Sequence, residues 1–264
     1  MTSSISEWIK SLDPSLISIV LPTFNRSTFL EQSLYYISNS TYPNYEVIIV
    51  DDGSTGHFKS LNASIVEVYK AMGMNIKLIQ LANNSGTVSL PRNIGISHIN
   101  GLIISPVDDD CFCRPEKFSL LMAALSADRA AVMAFGDRET AVKSPSGKLE
   151  NFKRSDASQF VVNKKDVGID NGQFIYDAGV YQYIAPVISI NACDWNLYKA
   201  FADCGNFAYV AEVVSTYIWH GKNNSLTPKH RRIDPIKLVG AYKNYFAPNG
   251  FSEKVFDCYV TNNR

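Results

Sequence analysis

The sequence predicts an α/β fold, a mostly parallel sheet with helices on both faces, on three observations. Short β-branched apolar runs alternate with stretches of helical periodicity over residues 15–115, which is the pattern of repeated strand-helix-strand units. Polar clusters stand directly after these runs, at 22–26, 51–54, 83–86 and 108–110, where open parallel sheets place their ligand-binding loops. With 46% hydrophobic residues in a chain of 264, there is apolar surface enough for one large core.

Each element follows from its own residues. In the polar leader, Trp8, Ile9 and Leu12 share a helical face. Residues 15–21 form a first buried strand ended by Pro22, and Thr23-Phe24-Asn25-Arg26 is its exit loop. Leu30, Leu34 and Ile37 recur at helical spacing up to a turn at 39–44. Residues 47–50 make the second strand and run into Asp51-Asp52-Gly53-Ser54; a helix follows to Met72, and 76–81 is the third strand. Residues 91–100 read as helical and 101–105 as the fourth strand, which delivers Asp108, Asp109 and Asp110. Three carboxylates so close repel one another, and a hard divalent cation would compensate them; a solvated acidic turn fits the same residues equally well. Beyond Pro115, Phe118, Leu121, Met122 and Leu125 make a helical core stripe, and 130–135 is a further strand.

From 137 to 171 the periodicity dissolves into Lys, Ser, Gly, Asp and Asn, which predicts loop and hairpin structure over the site or a mobile lid. Order returns at 173–190, and a helix opens at Asp194 and stops at Gly205. Strands are expected at 207–210 and 213–219, a polar loop at 220–225 and a last helix at 235–246.

Composition excludes several classes. Lysine plus arginine equals aspartate plus glutamate at 25 each, so no net field draws the chain to nucleic acid, and no nucleic-acid partner is expected. No apolar run reaches the ~20 residues of a membrane helix, and residues 1–15 lack a signal-peptide pattern. A cytoplasmic chain is the expectation, with peripheral docking at the inner face of a membrane through 229–232 left open. Five scattered cysteines suit reduced thiols, and Cys111 and Cys113, with no second pair at zinc spacing, read as packing residues.

Segments 17–26, 45–54 and 85–95, taken with the acidic motif, occur in an order and spacing that resembles family 2 glycosyltransferases, inverting enzymes of the GT-A fold. With the segments around Asp194 and His220, the resemblance spans about 17–225. It implies one catalytic domain over 1–225, with 15–115 holding a nucleotide-diphosphate sugar and 116–225 facing the acceptor, followed by a helical extension over 226–264.

The resemblance also assigns roles, each beside a plainer use of the same residue. Asp52 would accept the imide N–H of a uracil-type base, where an Asx turn closing on Gly53 is the structural use of such an Asp; Pro22, Thr23 and Asn25 would line the base and nucleotide. Arg92 suits a diphosphate and suits equally an ion pair with the acidic triad. Aligned on Pro115, Asp110 is the metal ligand and Asp108 lies nearer the ribose or a metal-bound water, with Asp109 beside the nucleotide and Mn2+ or Mg2+ as cofactor. His220 would join the metal or remain structural. Asp194 would be the general base that deprotonates the acceptor hydroxyl, though an Asp at a helix start is commonly an N-cap, and Cys193 stands where the family carries Glu.

The donor implied is a UDP-sugar, and the acceptor a glycan, a lipid-linked or a small molecule. Tyr176, Tyr181, Tyr183 and Trp195 suit stacking on an acceptor or core packing. A nucleotidyltransferase is disfavoured because no glycine-rich loop follows the first strand, and a dehydrogenase because no Gly-x-Gly-x-x-Gly follows any strand. A nucleotide-sugar-binding scaffold without turnover remains the non-enzymatic alternative.

Overall fold

The computed structural model describes residues 5–158, 169–182, 201–202 and 204–221. Asp194 with Cys193, Tyr183, Trp195, Lys164, Lys165 and everything from 222 onward lie outside the described residues. The elements are α1 (Ile5–Lys10), β1 (Asp13–Thr23), α2 (Ser27–Ser38), β2 (Tyr45–Asp51), α3 (His57–Ala71), β3 (Ile76–Gln80), α4 (Ser89–Ile96), β4 (Gly101–Pro106), β5 (Cys111–Cys113), α5 (Lys117–Ala127), β6 (Ala131–Lys143), β7 (Leu149–Ser155), β8 (Phe174–Asp177), a 3-10 turn (Ala178–Gln182) and β9 (Asn206–Trp219).

The described strands form one sheet in the order β3-β2-β1-β4-β8-β6-β9-β5, with β7 added on β6. The first four are parallel, as expected for residues 15–115. Beyond β4 the sheet is mixed: β8 runs antiparallel to β4 and β6, β9 parallel to β6, and β5 antiparallel to β9. Alternation along the strands divides the core between the two faces. Ile17, Ile19 and Leu21 pack with Leu30, Leu34, Val66, Phe118 and Leu121 from α2, α3 and α5. Val20, Ile48, Val50 and Ile104 point the other way, onto Leu90 and Ile94 of α4.

Three elements differ from the sequence reading. The first strand does not end at Pro22 but runs through it to Thr23, paired with Val50 and Asp51. Val20 accepts from the Val107 N–H on the β4 side, and Pro22, two residues on, turns its missing N–H to that same side past the last β4 pair, so no ladder bond is lost. The strand expected at 130–135 continues to Lys143, and there it pairs with β7 in a hairpin, which the loop-and-hairpin reading of 137–171 anticipates. The strands expected at 207–210 and 213–219 are one strand, β9, with Ala211 and Glu212 bulged between the pairs Gly136–Val210 and Asp137–Val213. A Cβ at Gly136 would collide with Val214 and crowd the Glu212 carbonyl, so the bulge is tied to a position without a side chain. Tyr176 is core, packed on Phe174 and Phe201.

Candidate functional site

The site forms where the carboxyl ends of β1, β2 and β4 come level, with Thr23 opposite Asp51 and Val20 opposite Pro106. The strand order reverses at β1, whose neighbours β2 and β4 send their connections to opposite faces, and this is where doubly wound sheets open a crevice. Asn25 adopts a left-handed φ of 53°. Its N–H donates to Ser54 Oγ at 2.8 Å and its Oδ1 accepts from the Thr55 N–H at 2.9 Å, so it clamps the β1–α2 loop to the β2–α3 loop.

Asp51 and Asp52 divide their tasks. Asp51 is fully buried and holds the turn, accepting from the Ser54 N–H, Asn62 Nδ2 and Gln80 Nε2. Asp52 turns to the exit loop of β3 and accepts from the Ser85 N–H at 3.0 Å on Oδ1, and from Asn84 Nδ2 and Ser85 Oγ on Oδ2. Burial, with the Asp51 charge adding to it and the Ser85 bonds opposing, pushes the Asp52 carboxyl up to about 7. It therefore switches charge near neutral pH.

On the other side of β1 the acidic triad meets two arginines. Asp108 pairs with Arg92, whose side chain is largely buried. Asp109 accepts from Thr23 Oγ1 at 2.9 Å and from Arg26 Nη1 at 2.9 Å, and its backbone carbonyl accepts from Ser33 Oγ. Burial, offset in part by Arg26, pushes Asp109 up to about 7. Asp110 Oδ2 meets both Arg26 Nη1 at 3.2 Å and His220 Nε2 at 3.3 Å. Burial and then Asp108 raise the Asp110 pKa, while Arg26 and His220 pull against them. His220 follows β9, and its ring lies 4.6 Å from that of Phe29. Burial lowers its pKa, as do the charges of Arg26 and Lys143.

The structure thus brings Pro22, Thr23, Asn25, Asp52, Arg92, Asp108, Asp109, Asp110 and His220 to one edge of the sheet; Asp194 lies outside the described residues. Arg26 was part of the motif but had no role from the sequence. The signal was there: it is the lone cation in a loop that must face three carboxylates. Asn84 and Ser85 were legible only as a turn.

A divalent metal fits one pair in this set. The Asp110 and His220 donor atoms are 3.3 Å apart, and burial favours the neutral imidazole that a ligand must be. Carboxylate and imidazole suit Mn2+, and carboxylate suits Mg2+. No group of three or more such side chains is found among the described residues. Cys111, next to Asp110, is buried, and burial pushes its thiol up to about 12; it packs instead of ligating. Among the described residues no helix is long and apolar enough to cross a membrane.

Known proteins share this fold. An uncharacterized glycosyltransferase of Haemophilus influenzae is 23% identical over 236 residues, covering 85% of this chain and 72% of that protein. The crystal structure of Staphylococcus aureus TarS in complex with UDP-GlcNAc superposes with a TM-score of 0.64 at 16% identity, over 86% of this chain and 64% of that one. The mannosyltransferase PcManGT of Pyrobaculum calidifontis in complex with GDP-Man and Mn2+ gives a TM-score of 0.58 at 18% identity, over 80% and 61%. The chain spans less than two thirds of either solved neighbour, and at these identities the likeness is one of fold, that of GT-A transferases. The family model for Glycosyl transferase family 2 matches residues 18–184, more than half of the chain, and the chain belongs to that family.

Proposed function

We propose that this chain transfers a sugar from a UDP-sugar to an acceptor hydroxyl, with inversion at the anomeric carbon. The observation that carries the reading is the division of the crevice. A partly hydrogen-bonded carboxylate, Asp52, stands on one side of β1, and an arginine-bound acidic cluster stands on the other. With strands about 4.8 Å apart, the loops after β2 and β4 are separated by roughly 10 Å, about the reach of a nucleoside.

The protein's own groups then act as follows. Asp52 accepts the uracil imide N–H, and its Asn84 and Ser85 bonds fix the direction of the carboxylate. Pro22 and Thr23 close the floor beside the base. Arg92 and Arg26 supply positive charge to the diphosphate. Asp110 and His220 would hold Mn2+ or Mg2+; Lewis-acid stabilisation of charge on the departing nucleoside diphosphate is the chemistry such a metal supplies when bound. The solved relatives with UDP-GlcNAc and with GDP-Man and Mn2+ support this assignment. Asp194 takes the acceptor proton as the oxygen attacks opposite the leaving group.

The test is release of UDP from a panel of UDP-sugars in the presence of Mn2+, with water as acceptor. For an α-linked donor, NMR should show the β-anomer of the free sugar first; first appearance of the α-anomer would exclude inversion. Asp194→Asn should retain UDP affinity and lose ~10²-fold or more in turnover. Unimpaired turnover in that variant removes Asp194 from the chemistry, and absence of turnover with every donor favours the scaffold.

A further inference from the structure

Arg26 touches two members of the acidic triad. Its Nη1 donates to Asp109 Oδ1 at 2.9 Å and to Asp110 Oδ2 at 3.2 Å, and Asp110 Oδ2 is also the oxygen His220 approaches at 3.3 Å. A divalent ion bound by Asp110 and His220 would take an electron pair of that oxygen and place two positive charges beside the guanidinium. The repulsion weakens the hold of the guanidinium on that oxygen. The two triad residues differ in how they would respond. Asp109 has Thr23 Oγ1 as a further donor and is anchored through its backbone by Ser33, so it can lose part of its arginine contact and stay satisfied.

The backbone at Arg26 is held on both sides, by the Asn25 clamp to Ser54 and Thr55 and by Ser27 Oγ on Asn62. Only the side chain is able to move. It is 24% exposed and passes over the Phe29 ring, 5.8 Å from the centroid, toward the same edge where Lys143 reaches that ring at 4.9 Å. A guanidinium leaving Asp110 therefore stays in the crevice. A nucleoside diphosphate there offers it the bidentate anionic partner it loses.

We propose that Arg26 is a place-holding cation: it occupies Asp110 in the donor-free protein, yields that carboxylate to the metal, and transfers its charge to the diphosphate. This rests on the proposed metal site and deepens it. The consequence is obligatory coupling. Metal alone must displace Arg26 with nothing to receive it and binds weakly, whereas metal and diphosphate together each relieve a cost of the other, and by linkage the enhancement is equal in both directions.

The experiment is a binding cycle by calorimetry and Mn2+ electron paramagnetic resonance on the full chain, with Mn2+ alone, UDP alone and both, for wild type, Arg26→Met and Arg26→Lys. Expected for Arg26→Met is Mn2+ binding without UDP at least tenfold tighter than wild type, UDP binding without metal weakened, and the mutual enhancement reduced at least tenfold. Arg26→Lys, which keeps the charge, should retain most of the enhancement and covers the case that the methionine variant does not fold, as checked by its melting curve. Wild-type enhancement in Arg26→Met, or its complete loss in Arg26→Lys, overturns the role of Arg26 while leaving the metal site intact. Wild-type protein that binds no Mn2+ even with UDP, or Asp110→Asn that binds it normally, overturns the metal site and this proposal with it.

Discussion

At the scale of single residues, Asp52 shows how burial sets chemistry. Its carboxyl, pushed up to about 7 chiefly by desolvation, must ionise to accept an imide N–H well. Uridine carries no phosphate that titrates near neutrality, so it isolates this group. Its affinity should rise roughly tenfold from pH 6 to pH 8, as the ionised fraction goes from about a tenth to about nine tenths. Asp52→Asn should flatten the profile in a calorimetric titration; a flat wild-type profile would detach Asp52 from the base. The sign for stability is opposite. A carboxyl whose folded pKa is raised favours the folded state below its unfolded value near 4, and that contribution is lost as pH rises to about 7. Thr23→Val tests the neighbouring carboxylate. It removes one donor from buried Asp109 and should cost about 1–3 kcal/mol in urea unfolding.

Elements decide where these residues stand. Gly53 has φ +73°, and a Cβ there would run into the Asn83 and Asn84 backbone, the loop that supplies the donors to Asp52. Gly53→Ala therefore acts on two loops at once, and UDP affinity should fall at least tenfold, with the melting point lowered; retention of both would show that the loops are not in register through this glycine. In the far half, the β6–β7 hairpin is tied down at Asp137, which is buried and accepts from Arg154 Nε at 2.7 Å, Tyr209 Oη at 2.8 Å and the Ala157 N–H at 2.8 Å. Arg154→Met should loosen this corner. Hydrogen exchange should quicken in β7 while β1 and β4 keep their protection. Uniform acceleration across the sheet would mean that the hairpin and the parallel half open as one unit.

For the whole molecule, a ligand that binds only the folded state stabilises it by mass action. UDP with Mn2+ at ~100 times its dissociation constant should add about 2.7 kcal/mol, a rise of roughly 5–10 °C for a chain of this size. EDTA should remove part of that rise and leave what the base contact with Asp52 supplies. No shift with any nucleoside diphosphate would contradict a donor site in this crevice.

The sequence by itself determined the parallel half and its loops. Strand and helix periods, with a polar cluster after each strand, are local patterns, and they place Asp52, Arg92 and the acidic triad at one sheet edge. What it left open depends on partners distant along the chain. Whether 207–219 is one strand or two rests on the approach of Gly136 to Val214, and the extension of the first strand past Pro22 rests on where β4 stops. Arg26 is marked in the sequence only as a cation in the loop after the first strand. Only folding brings it against Asp109 and Asp110, more than eighty residues away, and sets His220 on the same oxygen from the far end of β9. Local periodicity fixes which face a side chain takes, because that is a property of the backbone repeat. Which charges share an oxygen is fixed by long-range packing, and there the tertiary structure alone decides.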